Sequence, residues 1–328
     1  MIRTNKPIVL VTGGAGFIGS HLCESLLENS YAVVCIDDLS TGSKENIEQL
    51  LAYADFEFIQ GDICDQGLLK KAAGGINCLV HLAAKKIPRY GNALATLTTN
   101  NEGTKNALQI ALANRCKFLL ASTSDVYGKG TPPFKEGDDL IIGSSEIRRW
   151  SYAASKIFDE HLTMAFNQEH GLETVVLRFF GTYGPRHHRS WWGGPQAVFI
   201  EQALKKEPFS IHGDGSQTRS FTYISDLIEG IMAAIAREKA IGQIINIGST
   251  AEISILGLAK IISKLISDND NPDIELVPYE SLGGQYEDVM RRVPSIDKAK
   301  RLLDFQVKVN LQAGLTETIA WHKSLIKC

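Results

Sequence analysis

The 328-residue chain has no apolar run of 18 residues, so no segment reads as a membrane-spanning helix. Its first residues, MIRTNKPIVLVTGG, pass straight into a short apolar strand, without the charged, apolar and small-residue succession of a secretory signal. Six cysteines (Cys23, Cys35, Cys64, Cys78, Cys116, Cys328) are scattered with no CxxC pair, which argues against both a disulfide framework and a zinc site. Neither charge sign dominates: 34 Lys and Arg against 37 Asp and Glu give a formal net charge of −3, and no basic face points to nucleic acid. Repeats and low-complexity tracts are missing too. These absences leave a cytoplasmic globular protein with a small-molecule partner as the expectation.

What is present is a rhythm. Short β-branched runs at 7–12, 31–37, 56–60, 77–83, 116–122 and 173–180 alternate with helical patterns at 17–29, 94–114 and 152–166. Strands separated by helices of this length make βαβ units and a parallel sheet. VVCI and LVHLA are apolar on both sides, so helices should cover both faces. The predicted class is α/β, a Rossmann-like doubly wound parallel sheet. After residue 180 the rhythm gives way to GTYGPRHHRSWWGGP and shorter elements, with one return to strand at 243–248. The chain is therefore divided into a nucleotide-binding unit, 1–180 and 221–250, and a smaller α/β C-terminal substrate lobe, 181–220 and 251–328.

Gly13, Gly16 and Gly19 fall where the first strand ends and the first helix begins. Glycine there permits a tight turn, lets backbone approach a diphosphate and leaves helix N-terminal amides facing the anion. The second strand ends in Asp37, placed to accept the 2′-OH of an adenosine ribose and to repel a 2′-phosphate, which favours NAD over NADP. The alternative is a turn cap shared with Asp38 and Ser40. Asp62, after the third strand, is a neighbour for adenine or another turn residue.

Tyr152 and Lys156 in SYAASK are one helical turn apart, so phenol and ammonium face the same group. Oxidising an alcohol requires a base for the O–H proton as hydride leaves carbon. A free phenol titrates near ~10, so ionisation near neutrality needs help on the order of 4 kcal/mol. The Lys156 charge and a positive nicotinamide ring are its natural sources.

The ordered motifs TGGAGFIG, CIDDLSTG, GDI, HLAA, NNEGT, STSDVYG, YAASK, LRFFGTYGPR, GDGSQTRSFTYISD and RRVPSIDKAKRLL resemble the extended short-chain dehydrogenase/reductase family, specifically its nucleotide-sugar epimerases, dehydratases and decarboxylases. The resemblance implies a catalytic group of Thr123, Tyr152 and Lys156, with Asp125 beside it. It implies NAD held by Gly13, Gly16, Phe17, Ile18, Gly19, Asp37, Asp38, Asp62, Ile63, Leu82, Ala83, Ala84, Lys86, Asn100, Tyr152 and Lys156. Substrate contacts fall on Thr123, Ser124, Arg186, Arg219 and Arg292, and a homodimer through paired helices is implied as well. Arg148, Arg149 and Arg291 read as surface charges.

Three outcomes share an initial oxidation at the sugar C4. Family dehydratases place an Asp-Glu pair after the Thr, and this chain has Ser124-Asp125, one carboxylate short. Decarboxylases place Ser-Glu there, and the RRVPSIDKAK ending is similar to theirs. Epimerisation needs only Thr123, Tyr152, Lys156, NAD and room for the ketone to turn over. The expected activity is a UDP-hexose or UDP-hexuronate 4-epimerase, with UDP-glucuronate decarboxylase the alternative. A dehydratase or a non-catalytic NAD-binding protein ranks below both. The run Arg186-His187-His188-Arg189 would be a cationic cluster for a uronate carboxylate or a diphosphate. Trp191 and Trp192 would stack on the base, form a lid or simply pack.

Overall fold

The computed structural model describes residues 4–86, 92–282 and 287–326. In chain order its elements begin β1 (Ile8–Thr12), α1 (Phe17–Glu28), β2 (Ala32–Asp37), β3 (Phe56–Gln60), α2 (Gln66–Ala72), β4 (Cys78–His81), α3 (Ala93–Asn114), β5 (Lys117–Thr123), α4 (Trp150–His170) and β6 (Thr174–Phe179). They continue β7 (Thr182–Tyr183), α5 (Pro195–Lys205), β8 (Phe209–His212), β9 (Thr218–Ser220), β10 (Thr222–Tyr223), α6 (Ile224–Ala236), β11 (Gln243–Ile247), β12 (Glu252–Ser254), α7 (Ile255–Ser267), β13 (Ile274–Val277), β14 (Arg291–Arg292), α8 (Asp297–Leu303) and α9 (Leu311–Ile326).

Seven strands form one parallel sheet in the order β3-β2-β1-β4-β5-β6-β11. Alternation along each strand feeds two cores. Val9, Val11, Val33 and Cys35 pack with Leu22 and Leu26 of α1 and Leu227 and Ile231 of α6. Leu10, Val34 and Ile36 pack on the other face with Leu69 of α2 and Leu108 of α3, and Leu162 and Met164 of α4 lie against them. The winding direction reverses between β1 and β4, which opens a crevice at the C-terminal ends of the strands. Thr12, His81 and Thr123, the last residues of β1, β4 and β5, all end there.

Helix α4 starts at Trp150, two residues before the position periodicity suggests, and stops at Gly171, whose φ of 66° is a left-handed cap that glycine adopts without strain. The short helix α2 carries too little apolar period to be read in advance; the Asp65 carboxylate caps it by accepting from Leu68 N at 3.0 Å. Beyond β6 the chain builds three small sheets, β7 with β10, β8 with β13, and β9 between β12 and β14. They lie over the C-terminal ends of the large sheet and supply one wall of the crevice. The five described cysteines carry free thiols, and Cys328 lies outside the described residues. No described helix is long and apolar enough to cross a membrane.

Candidate active site

The glycine turn is packed to its limit on one side and open on the other. A Cβ on Gly19 would lie 2.1 Å from Gly13 O, and one on Gly13, at φ 71°, would lie 2.8 Å from Ala83 N. Helix, turn and the end of β4 therefore touch backbone to backbone. Gly16 differs: φ is −75°, and a Cβ there would meet only Gly13 O, at 3.2 Å. The open side is where an anion can approach the first amides of α1. Gly16→Val is expected to leave thermal unfolding nearly unchanged and to weaken NAD binding at least about tenfold, ~1.4 kcal/mol. Titration with NAD checks it, and unchanged affinity would place the diphosphate elsewhere.

Asp37 lies at the end of β2 as expected, and it also braces the turn, accepting from Ala15 N at 3.0 Å and Leu39 N at 2.8 Å. Burial raises its pKa against those two amides. A carboxylate has about four acceptor positions, so lone pairs remain for a ribose hydroxyl. Asp38 is exposed and caps Ser40 (N at 2.9 Å, Oγ at 2.7 Å); Asp62, also exposed, accepts from Cys64 N at 2.9 Å. Both act as turn residues here. Ile63 is buried against Gly103 of α3, Ile18 and Leu82 pack on the core, and Ala83 and Ala84 are half-buried beyond β4. Phe17 stacks on His187 at 4.1 Å between centroids, joining the turn to the far wall.

Asn100 is 0% exposed: its Oδ1 accepts from Lys85 N at 2.7 Å, and its Nδ2 donates to Lys85 O at 3.2 Å and Ser155 Oγ at 3.0 Å. These bonds tie the backbone at Lys85, next to the cavity-lining Lys86, to Ser155 of α4.

Tyr152 lines a cavity of about 230 Å³ beside the crevice. The Thr123 hydroxyl is a hydrogen-bond partner of the phenol, and Thr123 Oγ1 also accepts from Asp125 N at 3.2 Å. Lys156 is buried, its Nζ 3.2 Å from the Asp159 carboxylate. His81 lies near enough to feel the Lys156 charge; burial first, then that charge, pushes it down to about 3, so it is neutral. The phenol departs from expectation: burial, then the charges of Asp125 and Asp159, push its pKa up, and only Thr123 opposes them. Asp159 shares the Lys156 charge, so the positive ring of NAD remains as a source of phenolate.

A base with a raised pKa is ionised more as pH rises, so turnover should climb through the alkaline range. Asp159→Asn removes one raising charge and should move that rising limb to lower pH. A pH–rate profile with an unmoved limb would show that Asp159 does not act on Tyr152.

Five charged residues from four segments of the chain meet on the cavity wall. Arg292 Nη1 lies 2.9 Å from Asp125 Oδ1, and Arg219 Nη2 donates to Asp288 Oδ1 at 2.9 Å. Arg149 lies between them, 3.5 Å from Asp125 and 3.7 Å from Asp288. Burial would raise Asp288, but Arg219, Arg149 and Arg292 hold its carboxyl below the usual range. Burial, with Arg292 and Arg149 nearby, brings Arg219 down to about 10, which leaves it charged. Arg219 and Arg292 both line the cavity, and Ser124 is buried. Arg149 and Asp288 were not foreseen. Arg291 is on the surface, paired with Glu252.

The expected cationic cluster does not form. Arg186 pairs with Glu24 of α1 at 2.7 Å and is not among the residues that line the cavity. Arg189 pairs with Glu201 through two bonds of 2.6 and 2.8 Å, and His322 Nδ1 shares that carboxylate at 2.7 Å. Burial holds His187 well below its ordinary value and also lowers His188, so neither adds charge. Trp191 stacks on His212 at 4.0 Å and lines the cavity. The side chains of Gln196, Gln217 and Ser220 also line it, and their Oε1, Oε1 and Oγ atoms are buried without a hydrogen-bond partner in the protein. At Gly181 the backbone approaches the wall closely: a Cβ there would lie 2.7 Å from Ser220 O.

The NAD dependent epimerase/dehydratase family matches residues 9–248. The chain belongs to that family. Its members here are extended short-chain dehydrogenase/reductases acting with NAD, and the turn, Asp37 and the Tyr152–Lys156 pair fit that cofactor. Over 323 residues it is 38% identical to a UDP-N-acetyl-α-D-glucosaminuronate decarboxylase of Bacillus cytotoxicus, covering 98% of this chain and 99% of the relative. It is 38% identical over 313 residues to UDP-glucuronic acid decarboxylase 2 of Arabidopsis thaliana, covering 94% of this chain and 66% of that longer protein. The crystal structure of UDP-glucuronic acid 4-epimerase from Bacillus cereus, in complex with UDP-glucuronic acid and NAD, superposes with a TM-score of 0.87 at 34% identity, covering 97% and 99% of the two chains.

Proposed function

We propose that the protein is an NAD-dependent decarboxylase of a UDP-linked hexuronate. This reverses the order of the sequence-based expectation, in which 4-epimerisation came first. The observation that carries it is the 38% identity, along nearly the full length of both chains, to a UDP-N-acetyl-α-D-glucosaminuronate decarboxylase. The arginine wall around Asp125, next to Tyr152, supplies charge suited to a uronate carboxylate.

Tyr152, oriented by Thr123, takes the proton of the C4 hydroxyl. NAD bound along the glycine turn supplies the hydride acceptor at C4 and later the hydride donor. The C4 ketone makes the sugar a β-keto acid. The bond from C5 to its carboxylate breaks, CO₂ leaves, and the electron pair moves into the ketone to give an enolate. C5 then takes a proton from water, and Tyr152 returns its proton to the C4 oxygen as the alcohol is restored. Residues of the wall hold the diphosphate and carboxylate while this happens.

The test is to incubate enzyme and NAD with UDP-glucuronate and, separately, with UDP-N-acetylglucosaminuronate. The expected result is a UDP-pentose or its acetamido counterpart together with CO₂. Inversion at C4 without CO₂ would overturn the proposal and install the second reading, a UDP-hexuronate 4-epimerase. That reading draws on the whole-length likeness to the Bacillus cereus epimerase.

We further propose a homodimer formed through α3 and α4, where Leu94 is 67% and Phe158 50% exposed. Sedimentation at micromolar concentration should give twice the chain mass of 36.0 kDa. Phe158→Asp should shift it towards the single chain.

A further inference from the structure

We propose that residues 185–187, which follow the short strand β7, retain the bound NAD, and that the ion pair of Arg186 with Glu24 sets how fast the cofactor is released. Arg186 is then a positioning residue for the cofactor. Three successive residues of the segment each make one contact with α1. His21 Nε2 donates to Pro185 O at 3.0 Å, Arg186 Nη2 donates to Glu24 Oε2 at 2.7 Å, and the His187 ring stacks on the Phe17 ring at 4.1 Å with 26° between their planes. Phe17, His21 and Glu24 stand at i, i+4 and i+7, one stripe along the first two turns of the helix. The stripe begins at Phe17, directly after Gly16, where the first amides of α1 face an anion. His187 also lines the cavity that Tyr152 lines, so it touches the glycine turn on one side and the reaction space on the other. A dinucleotide with its diphosphate on the turn and its nicotinamide at the phenol has to run past that imidazole.

Arg186 has a φ of 65°, a left-handed backbone uncommon outside Gly, Asn and Asp. Such a backbone is strained and persists where its surroundings fix it. Lifting the segment off α1 relieves that strain, and the contacts with α1 oppose the lift. The pair with Glu24 is the charged one among them, its side chains 19% and 34% exposed, and it must break when the segment lifts. Its strength therefore enters the barrier to release. A part-exposed pair adds little to the stability of a whole chain, so its effect is concentrated in this local opening. Burial keeps the His187 imidazole neutral, and its stack on Phe17 is a contact of two uncharged rings.

The experiment follows NADH leaving the full-length protein. Protein loaded with NADH is mixed with excess NAD in a stopped-flow instrument, and NADH fluorescence is recorded for the native chain, Glu24→Ala, His187→Ala and the exchanged pair Glu24→Arg with Arg186→Glu. Glu24→Ala should release NADH about fivefold faster, the factor that a part-exposed pair of ~1 kcal/mol supplies. His187→Ala should also release it faster. The exchanged pair should return to within about twofold of the native rate, a rescue that packing alone does not produce. Without NAD, Glu24→Ala should unfold within ~2 °C of the native chain. Arg186→Gln takes the place of Glu24→Ala if that variant does not fold. Native release rates in both single variants would overturn the proposal, as would an exchanged pair as fast as Glu24→Ala. Faster release joined to a fall of more than ~5 °C in the NAD-free protein would show that α1 as a whole has loosened, and would overturn it too. Only NADH is read, so the outcome is independent of whether the sugar is decarboxylated or epimerised.

Discussion

Tyr152→Phe is expected to lower turnover of the nucleotide sugar by about 10²–10⁴-fold, the range for losing a general base, with NAD still bound. The ring is retained, so the packing around α4 changes little, and the variant isolates the hydroxyl. Its effect should be larger than that of Thr123→Val, because Thr123 orients the substrate oxygen and the phenol without taking the proton. Stopped-flow absorbance of reduced cofactor after mixing with substrate separates the two: the phenylalanine variant should form almost none, the valine variant should form it slowly. A phenylalanine variant with native turnover would remove Tyr152 from the chemistry and require another base for the hydroxyl proton.

The second large effect is on stability. Behind the reacting group, the buried Glu160 of α4 accepts from Arg178 of β6 (Nε at 3.0 Å, Nη2 at 2.7 Å) and from the Ser122 hydroxyl of β5. Arg178 also lies over the Tyr127 ring at 4.7 Å. Burial would lower the Arg178 pKa, but its pairing with Glu160 raises it overall, so it is a full cation. Arg178→Met leaves Glu160 buried without its partner and should cost about 3–5 kcal/mol. Urea unfolding of the variant measures it. The double variant Arg178→Met with Glu160→Leu should recover a large part of the loss, since removing both charges removes the orphan. A single variant within ~1 kcal/mol of native would mean that water reaches the pair. Because Ser122 adjoins Thr123, and Glu160 lies on the helix that carries Tyr152, the same change should also lower activity in the protein that remains folded.

The sheet and the hydride-transfer pair were legible because their signals are local. Runs such as VVCI are apolar on both faces whatever surrounds them, and a Tyr one turn before a Lys needs only a helix. The substrate wall was legible only in part. Arg219 and Arg292 were picked out through family motifs, whereas Arg149 looks like one of two surface arginines until Asp288, 139 positions later, is folded beside it. The reverse case, at Arg186, has the same origin. Four adjacent basic residues suggest a positive patch, but Glu24 and Glu201 neutralise its two arginines, and Glu24 is 162 positions away. Asn100 shows a third case. Its amide is bonded to Lys85 and to Ser155 of another helix, contacts that no spacing rule carries.

The late return of β11 to the sheet bears on how the gene can be cut. β11 pairs with β6 residue for residue from Gln243↔Val175 to Ile247↔Phe179, after some sixty residues spent elsewhere. A truncation that ends before residue 243 would keep every residue of the glycine turn and the Tyr152–Lys156 pair. It would also bare the rim of TVVLRF, an apolar strand with its amides and carbonyls facing water. Such a rim recruits other chains. Expression of a fragment that ends between β6 and β11 should therefore give aggregates, and two-fragment systems built on this protein need their break in a surface loop after Ile247.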